Sequence, residues 1–461
     1  MGIVAAFAVP HPPIILPEVG HGEEKKIQRT IDAYRDVMRQ AAELKPDTVV
    51  ISSPHSLMYA DYFHISPGKK ASGNFGDFGA PDVTIEVDYD TEFVSSLVDE
   101  AAMREVPAGT LGARSSMLDH ATMIPLRFLK EAGADDFKVV RIGLSGLSAR
   151  MHYKLGECIQ AVSEKLGRRV VYIASGDLSH KLKENGPYGY APEGPEFDRI
   201  CTEALQKGDF MGLLSIDEKI SDKAAECGLR SFWMMAGALD RTAVESNLLS
   251  AEGPFGVGYG VASFKVTGTD DLRDFGTQMD NARRDAVRKA RADEDPWVHL
   301  ARLSVEHYTR TGSYARIPDD LPAEMTTERA GAFVSLHKDG ELRGCIGTVK
   351  PMQKSVAEEV FYNAISAAVH DPRFSPVMPD ELNDIIYSVD ILGAPEKTDI
   401  NGLDPKQYGV IVSSKGRRGL LLPDLDGIDT VDEQISIARH KAGIGADEPV
   451  ELSRFRVVRH H

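Results

Sequence analysis

The sequence predicts an N-terminal α/β domain with a central mixed sheet, followed by a C-terminal α+β domain. Three observations support this prediction. Apolar segments of strand length alternate with amphipathic helical segments in the first part of the chain. Hairpin patterns around one amphipathic helix follow in the last part. A polar, densely charged stretch separates the two parts. We therefore predict domains at 1–268 and 296–461, joined through 269–295 by a solvated linker or an exposed helix.

The composition is that of a folded protein and argues against two classes of partner. The 461 residues are 42% hydrophobic and 27% charged, with a formal net charge of −17. At roughly 150 residues per domain this length allows about three domains, or two larger ones. The acidic balance disfavours a nucleic-acid partner, because such proteins usually present a basic face. No apolar run reaches the roughly 18 residues of a membrane-spanning helix, so no membrane partner is expected.

The cysteines and the first residues predict a cytoplasmic protein. The four cysteines stand far apart, without a CxxC pair, at Cys158, Cys201, Cys227 and Cys345. Reduced thiols are therefore expected. The opening MGIVAAFAVPHPP has neither the basic start nor the small-residue cleavage site of a signal peptide.

Each element of the first domain is predicted from its hydrophobic period. Residues 3–9 and 48–53 are apolar runs of strand length, and residues 22–44 place apolar side chains at helical spacing. The same reasoning predicts further strands at 137–143, 168–175 and 254–266, and further helices at 118–133, 146–166 and 224–239. This alternation indicates helices that cover a largely parallel or mixed sheet.

The second domain shows less regular alternation. The segments 331–337 and 341–347 predict a hairpin, and 409–423 predicts a second hairpin around Lys415-Gly416. A strong amphipathic helix at 355–371 and an alternating strand at 384–392 lie between them. These patterns favour an α+β domain.

Three histidines lie just past the carboxyl ends of three predicted strands of the first domain: His11, His55 and His180. In open α/β sheets, ligand crevices lie at the carboxyl ends of the strands. The prolines beside His11 and His55 prevent the chain from continuing as a helix. Neutral imidazole is a common metal ligand and titrates near neutral pH. The three histidines therefore predict one shared site.

A third metal donor is available in the segment 224–239. Two histidines and one carboxylate form the face that binds non-haem Fe(II) and leaves positions open. Glu226 supplies such a carboxylate, but Cys227 is adjacent to it. Glutamate would suit Fe(II), whereas cysteinate would favour copper or zinc. We prefer Glu226, and the sequence leaves both open. A fourth histidine, His120, follows Asp119 in a helical segment.

Four short motifs occur in order along the first domain: PHPPI, SSPHS, LDHATMIPL and SGDLSH. Together they resemble the class III extradiol ring-cleaving dioxygenases, the LigB superfamily, which includes the Memo proteins. The resemblance implies a non-haem Fe(II)-dependent dioxygenase that opens a catechol-like aromatic ring with dioxygen. Memo-type proteins carry a cysteine as third ligand, and this keeps a zinc or copper site as the alternative.

The resemblance also implies roles for individual residues. By motif, the metal ligands are His11, His55 and Glu226, the acid/base catalyst is His180, and His120 lines the pocket. Two other functions stay open: a non-enzymatic metal-binding scaffold and a metal-dependent hydrolase. Since symmetric oligomers are the general default, we also expect a homo-oligomer.

The second domain carries four further motifs in order: LRGCIGT, HDPRFSPV, GLLLP and ARHKAGI. These resemble the AMMECR domain, for which the resemblance implies no settled activity. Arg343 and Arg373 could line one pocket near Cys345, or could pair with local carboxylates. The fusion of the two domains resembles the AmmeMemoRadiSam grouping, whose third member is a radical S-adenosylmethionine protein. This chain has no CxxxCxxC motif, so such a partner would be a separate chain.

Overall fold

The computed structural model describes residues 2–113, 117–338, 340–425 and 427–461. The chain divides into two compact units, Met1–Met279 and Asp280–His461. A helix, Phe275–Asp293, spans this division. Most of the charged stretch predicted as a linker or exposed helix is therefore helical.

The first unit alternates strands and helices. In chain order its elements are β1 (Ile3–Val9), α1 (Pro17–Gly20), α2 (Gln28–Glu43), β2 (Thr48–Ser53), β3 (Phe63–His64), β4 (Lys70–Phe75), β5 (Ala80–Asp88), α3 (Thr91–Met103), β6 (Ala108–Gly109), α4 (His120–Glu131), β7 (Lys138–Gly143), α5 (Ala149–Lys165), β8 (Val170–Ser175), α6 (Glu193–Lys207), α7 (Phe210–Leu214), α8 (Glu218–Ala224), α9 (Leu229–Ala238), β9 (Thr242–Glu252) and β10 (Tyr259–Thr269). The helix Phe275–Asp293 is α10.

A six-stranded mixed sheet forms the centre of this unit, in the order β7-β2-β8-β1-β10-β9. The first four of these strands run parallel, and β10 and β9 pair antiparallel at the other side. The register aligns Val9 with Ser175 and Ser52 with Ala174. The carboxyl ends of β2, β8 and β1 therefore lie side by side at one edge of the sheet. The predicted α/β class is confirmed.

Two hydrophobic cores cover the two faces of the sheet. Because side chains alternate along a strand, Val49 and Ile51 enter one core while Val50 enters the other. The first core holds side chains of α2 and α4, and the second holds side chains of α3, α5 and α9. Apolar packing on both faces explains why these strands are apolar throughout.

A β-hairpin of β4 and β5 was missing from the predicted elements. The segment KASGNF of β4 lacks regular apolar alternation, so its sequence does not resemble a strand. The tip of the hairpin is a short turn at Gly76–Phe78. The hairpin matters here because it brings Phe78 to the histidines described below.

The second unit is an α+β domain, as predicted. After α10 its elements are α11 (Pro296–Thr311), α12 (Ala323–Thr327), β11 (Gly331–Lys338), β12 (Glu341–Gly347), α13 (Val356–Val369), β13 (Ile385–Leu392), β14 (Glu396–Thr398), β15 (Gly409–Ser414), β16 (Arg417–Leu421), α14 (Val431–Lys441), β17 (Glu451–Phe455) and β18 (Val457–His460).

Two antiparallel sheets organise this unit, β12-β11-β13-β18 and β14-β17-β15-β16. Helices α11 and α13 contribute to the core on the first sheet, and α14 contributes to the core on the second. The predicted hairpin at 409–423 forms with Lys415 at φ 49° and Gly416 at φ 82°. Two positive φ values at a two-residue turn match the twist of antiparallel strands. Within the described part of the chain, no helix combines the length and apolar character of a membrane span.

Candidate active site

The parallel strands bring the predicted histidines together. His11 follows β1, His55 follows β2 and His180 follows β8, which lies between those two strands in the sheet. The Nε2 atoms of His11 and His55 lie 3.1 Å apart. One ring nitrogen each of His11, His55 and His120 fall within 4.8 Å of one another. The sheet edge thus assembles a cluster of imidazoles from distant parts of the sequence.

His11 is the buried member of this cluster, and its tautomer follows from its neighbours. Its backbone N–H donates to Asp177 Oδ1 over 2.7 Å. The hydroxyl of Ser175 donates to the carbonyl of Ala121 at 2.7 Å and lies 3.0 Å from His11 Nδ1. Because that hydroxyl has a single hydrogen, it must accept from Nδ1–H. The lone pair of Nε2 therefore points to the shared space, as in a metal-binding histidine.

The electrostatics keep these imidazoles neutral. Burial holds the pKa of His11 well below its ordinary value, and the neighbouring His55, His120 and His180 lower it further. Burial, together with His55, lowers the pKa of His120 to about 4. The same two causes lower the pKa of His180. Neutral imidazole is the form that binds metals.

Asp119 orients the outer histidines. The hydroxyl of Ser53 donates to Asp119 Oδ1 at 2.6 Å, and Ser53 in turn accepts the backbone N–H of His55 at 3.2 Å. Asp119 also caps α4, of which His120 is the first residue. The guanidinium of Arg141 lies 3.6 Å from Asp119 Oδ2. Asp119 therefore fixes the backbone at His120 directly, as the cap of α4, and the backbone at His55 through Ser53.

Of the two adjacent candidate donors, Cys227 and not the preferred Glu226 faces the histidines. Cys227 Sγ lies 3.6 Å from His11 Nε2 and 3.8 Å from His180 Nε2. Glu226 turns away and accepts the backbone N–H of Leu229, at the start of α9, over 2.6 Å. Free N–H groups and the dipole at a helix start attract a carboxylate. The side chain of Glu226 is therefore held at the start of α9, and Cys227 faces the histidines.

A pair of glycines allows this approach. A Cβ atom on Gly176 would lie 2.1 Å from the Cα of Gly228, so neither backbone could come so close with a side chain in between. This contact seats residues 226–228 against the end of β8. The backbone N–H of Asp177 then donates to Cys227 Sγ over 3.3 Å. Burial, with the charges of Asp177 and Glu226, raises the pKa of the Cys227 thiol well above its usual value.

These donors fit one first-row metal ion. Nitrogen ligands of such an ion lie at about 2.0–2.1 Å and sulfur at about 2.3 Å from it. Nitrogens 3.1 Å apart and a sulfur 3.6 Å from one of them are compatible with adjacent positions around it. The set of two imidazoles and one thiol suits zinc or copper as well as iron. The cluster is accessible, since His55 is exposed and His120 partly exposed.

Two aromatic rings contact the two histidines outside this donor set, His180 and His120. The ring of Tyr188 stacks on His180 with centroids 5.0 Å apart and planes at 22°. The ring of Phe78 meets His120 at 5.1 Å and 69°. Sequence reasoning missed both residues, together with Ser175. Aromatic residues in the glycine-bearing turns GDFG and PYGY were the signal that could have drawn attention to the first two.

The family to which the chain belongs follows from comparison with known proteins. The family described as "Catalytic LigB subunit of aromatic ring-opening dioxygenase" matches residues 5–262. The chain belongs to the LigB family. A second family, AMMECR1, matches residues 298–460. The protein thus joins a LigB domain to an AMMECR1 domain, and the histidine cluster lies in the LigB domain.

Proteins of other organisms share this sequence in whole or in part. A Clostridium acetobutylicum protein is 40% identical over 100% of this chain and 99% of its own length. A Thermotoga maritima protein is 54% identical over 36% of this chain and 98% of its own length. A solved Pyrococcus horikoshii structure covers 35% of this chain and 88% of its own, at 31% identity and a TM-score of 0.33. None of these three names states an activity.

The AMMECR1 domain has a second group of polar residues that the sequence singled out. Arg343 and Arg373 both approach the ring of Phe374, at 6.0 and 5.4 Å from its centroid. Each is paired with a carboxylate, Arg343 with Glu381 at 2.9 Å and Arg373 with Asp371 at 2.7 Å. The two arginines therefore lie near each other, but local carboxylates neutralise both.

Cys345 lies at the edge of this group. Its backbone N–H donates to Asp371 Oδ2 at 2.9 Å, and its carbonyl accepts from Arg373 at 3.2 Å. The hydroxyl of Ser335 donates to Cys345 Sγ at 3.2 Å. These contacts hold the β12 strand against the 371–374 turn, which is a structural role.

Proposed function

We propose that the LigB domain is a metal-dependent oxygenase that opens the ring of a catechol-like aromatic. The observation that supports this proposal is that His11 Nε2 lies 3.1 Å from His55 Nε2 and 3.6 Å from Cys227 Sγ, with His120 and His180 beside them. A site that only stored a metal would need the first three residues alone. The two additional imidazoles supply the proton transfers that an enzyme needs.

His11, His55 and Cys227 would hold the metal. When bound, a first-row ion supplies Lewis acidity and lowers the pKa of a phenolic hydroxyl that contacts it. Ser175 keeps the Nε2 of His11 free of hydrogen, so that this ligand is ready to bind. Iron(II) is the ion that ring opening with dioxygen calls for, and the thiol of Cys227 makes zinc and copper the alternatives.

The remaining polar groups act on the substrate. His180 lies 3.8 Å from Cys227 and accepts the proton of a substrate hydroxyl at Nε2, then returns it to the product. His120 donates a hydrogen bond to a substrate oxygen on the other side of the cluster. Asp119 maintains the position of His120, because it caps the helix that begins there.

Oxygen uptake by the metal-loaded protein tests this proposal. The full-length protein is loaded anaerobically with Fe(II) and then mixed with oxygenated buffer and a panel of catechols. We expect equal consumption of dioxygen and catechol, and a ring-opened product identified by mass spectrometry. Stoichiometric Fe(II) binding without any consumption of dioxygen across the panel contradicts the proposal. The same protein loaded with Zn(II) is the matched control.

A second candidate is a metal-binding scaffold that presents the AMMECR1 domain to a partner chain. The thiol of Cys227 favours it, because a sulfur donor selects softer ions than the oxygen-rich sites of ring-opening enzymes. In that case the protein should prefer Zn(II) or copper over Fe(II) in competition. Metal analysis after incubation with equal amounts of the three ions separates the two candidates.

A further inference from the structure

Two exposed aromatic side chains lie against the histidine cluster from two separate loops. Tyr188 belongs to the loop between β8 and α6, and 59% of it is exposed. Phe78 lies at the tip of the β4–β5 hairpin, and 36% of it is exposed. Large apolar rings are usually buried, so two of them at the mouth of one cluster need a reason.

The contacts of these rings distinguish them from other exposed aromatic residues. Tyr188 covers the face of His180, and Phe78 touches the edge of His120. Among the described residues, the ring contacts of His11 and His55 are all with other histidines of the cluster. The two aromatic rings therefore contact the two histidines of the site that are not candidate metal ligands.

The backbone presents both rings outward from firm supports. Phe78 is followed by Gly79 at φ 81°, and its ring leans on the buried ring of Phe75 at 6.3 Å. The loop of Tyr188 is held by an isolated bridge between Leu182 and Tyr190. Neither ring thus depends on a bound partner for its position.

We propose that Phe78 and Tyr188 form an aromatic rim that selects a planar aromatic ligand at this site. The inference rests on the proposed function for its metal, and it adds the residues that choose the substrate. A flat ring entering beside His120 and His180 would meet the edge or face of each rim residue. Aromatic pairs prefer these offset or edge-to-face contacts. An aliphatic ligand with the same chelating oxygens would gain nothing from them.

Ligand binding to the Zn(II)-loaded full-length protein tests the rim without requiring turnover. One probe is 4-nitrocatechol, which joins two chelating oxygens to a flat ring. Its binding is followed by its absorbance. The other is acetohydroxamate, which chelates through two oxygens and has no ring. Its binding is followed by calorimetry. Phe78→Ala and Tyr188→Ala should each raise the Kd of 4-nitrocatechol about two- to tenfold. The Kd of acetohydroxamate should change less than twofold.

Conservative and neighbouring variants complete the test. Tyr188→Phe keeps the ring and should bind both probes like the wild type. Tyr190→Ala removes an exposed aromatic ring two residues away, 47% exposed, but keeps the backbone bridge to Leu182, so it should also change neither Kd. Phe78→Leu keeps apolar contact with Phe75 and should weaken only 4-nitrocatechol, which guards against misfolding of the alanine variant.

The possible outcomes separate this inference from the proposed function. Equal losses for both probes, or no loss for 4-nitrocatechol, overturn the rim. Failure of the wild type to bind 4-nitrocatechol more tightly than acetohydroxamate overturns it too. If the rim variants weaken 4-nitrocatechol alone while no catechol is oxidised, the rim stands and the proposed activity is wrong.

Discussion

The histidine cluster of the LigB domain and the arginine group of the AMMECR1 domain differ in whether their polar side chains are paired with opposite charges. In the arginine group, Lys338, Arg343 and Arg373 each meet a carboxylate. Arg343 and Lys338 lower the pKa of Glu381 to about 2 against the effect of burial. In the LigB domain, imidazoles face one another and a thiol, with their ligand atoms pointing inward. The paired charges of the arginine group stabilise the fold, whereas the neutral imidazoles and the thiol of the histidine cluster can bind an ion.

The largest expected effect is loss of the metal. His11→Ala removes the buried imidazole whose Nε2 faces both His55 and Cys227, so the purified variant should retain no stoichiometric metal. Metal analysis by mass spectrometry measures this. His440→Ala, which alters an exposed histidine of α14, is the control and should bind as the wild type does. Equal metal content in the two variants would remove the basis of the comparison.

The next effect concerns turnover. His180→Ala should retain the metal but lower the rate of ring opening by about 10²–10⁴, the usual share of general acid/base catalysis. Oxygen uptake at saturating catechol gives the rate, and metal analysis of the same sample gives the occupancy. Full oxygen consumption with a ring-opened product would show that His180 is not the base.

A third prediction sharpens the choice between the adjacent donors. Loss of a partner of a metal ligand already costs about 10–100-fold in affinity, so Cys227→Ser should weaken metal binding at least as much. Glu226→Gln keeps an acceptor for the helix cap and should leave affinity unchanged. Competition with a chromophoric chelator measures both. The reverse order of effects would restore Glu226 as the ligand.

A fourth prediction uses a buried imidazole outside the cluster. Burial lowers the pKa of His152 to about 3, so the folded protein keeps it neutral while the unfolded chain binds a proton below about pH 6.5. Stability should therefore fall as pH drops from 6.5 towards 3, by up to about 1.4 kcal/mol per pH unit. The ring of Trp233 lies 5.7 Å from His152 and reports this unit.

The measurement compares urea unfolding at pH 7 and pH 5 in a Trp297→Phe background, with and without His152→Leu. The loss of unfolding free energy between the two pH values should be smaller by up to about 2 kcal/mol in the leucine variant. An identical loss in both proteins would show that His152 does not contribute to the pH dependence.

The smallest expected effect lies in the AMMECR1 domain. Asp371→Asn removes the charge opposite the half-exposed Arg373 and one of the acceptors at this turn, which should cost about 0.5–1.5 kcal/mol. The Trp297 fluorescence of a Trp233→Phe background follows unfolding of this unit. Metal binding should not change. A shift in metal affinity without a shift in stability would contradict the structural role assigned to the arginine group.

Much of the architecture could be predicted because it depends on local patterns. The apolar strands and the amphipathic helices can be recognised from their hydrophobic periodicity, and the hairpin around Lys415-Gly416 from its turn residues. The β4–β5 hairpin did not, since its residues lack alternation and gain their strand structure from pairing. With it, Phe78 was missed, because the position of a loop residue depends on the packing of the whole hairpin.

The sequence by itself determined that His11, His55 and His180 share one edge, because three apolar strands end within a few residues before them and parallel strands align their carboxyl ends. It did not determine which of two neighbouring side chains joins them. Adjacent residues at the start of a helix point in different directions, and the sequence does not state the rotation of α9. Only the tertiary structure decided this, since the contact between Gly176 and Gly228 seats the turn and the free N–H groups of α9 attract Glu226. Cys227 is left facing the histidines.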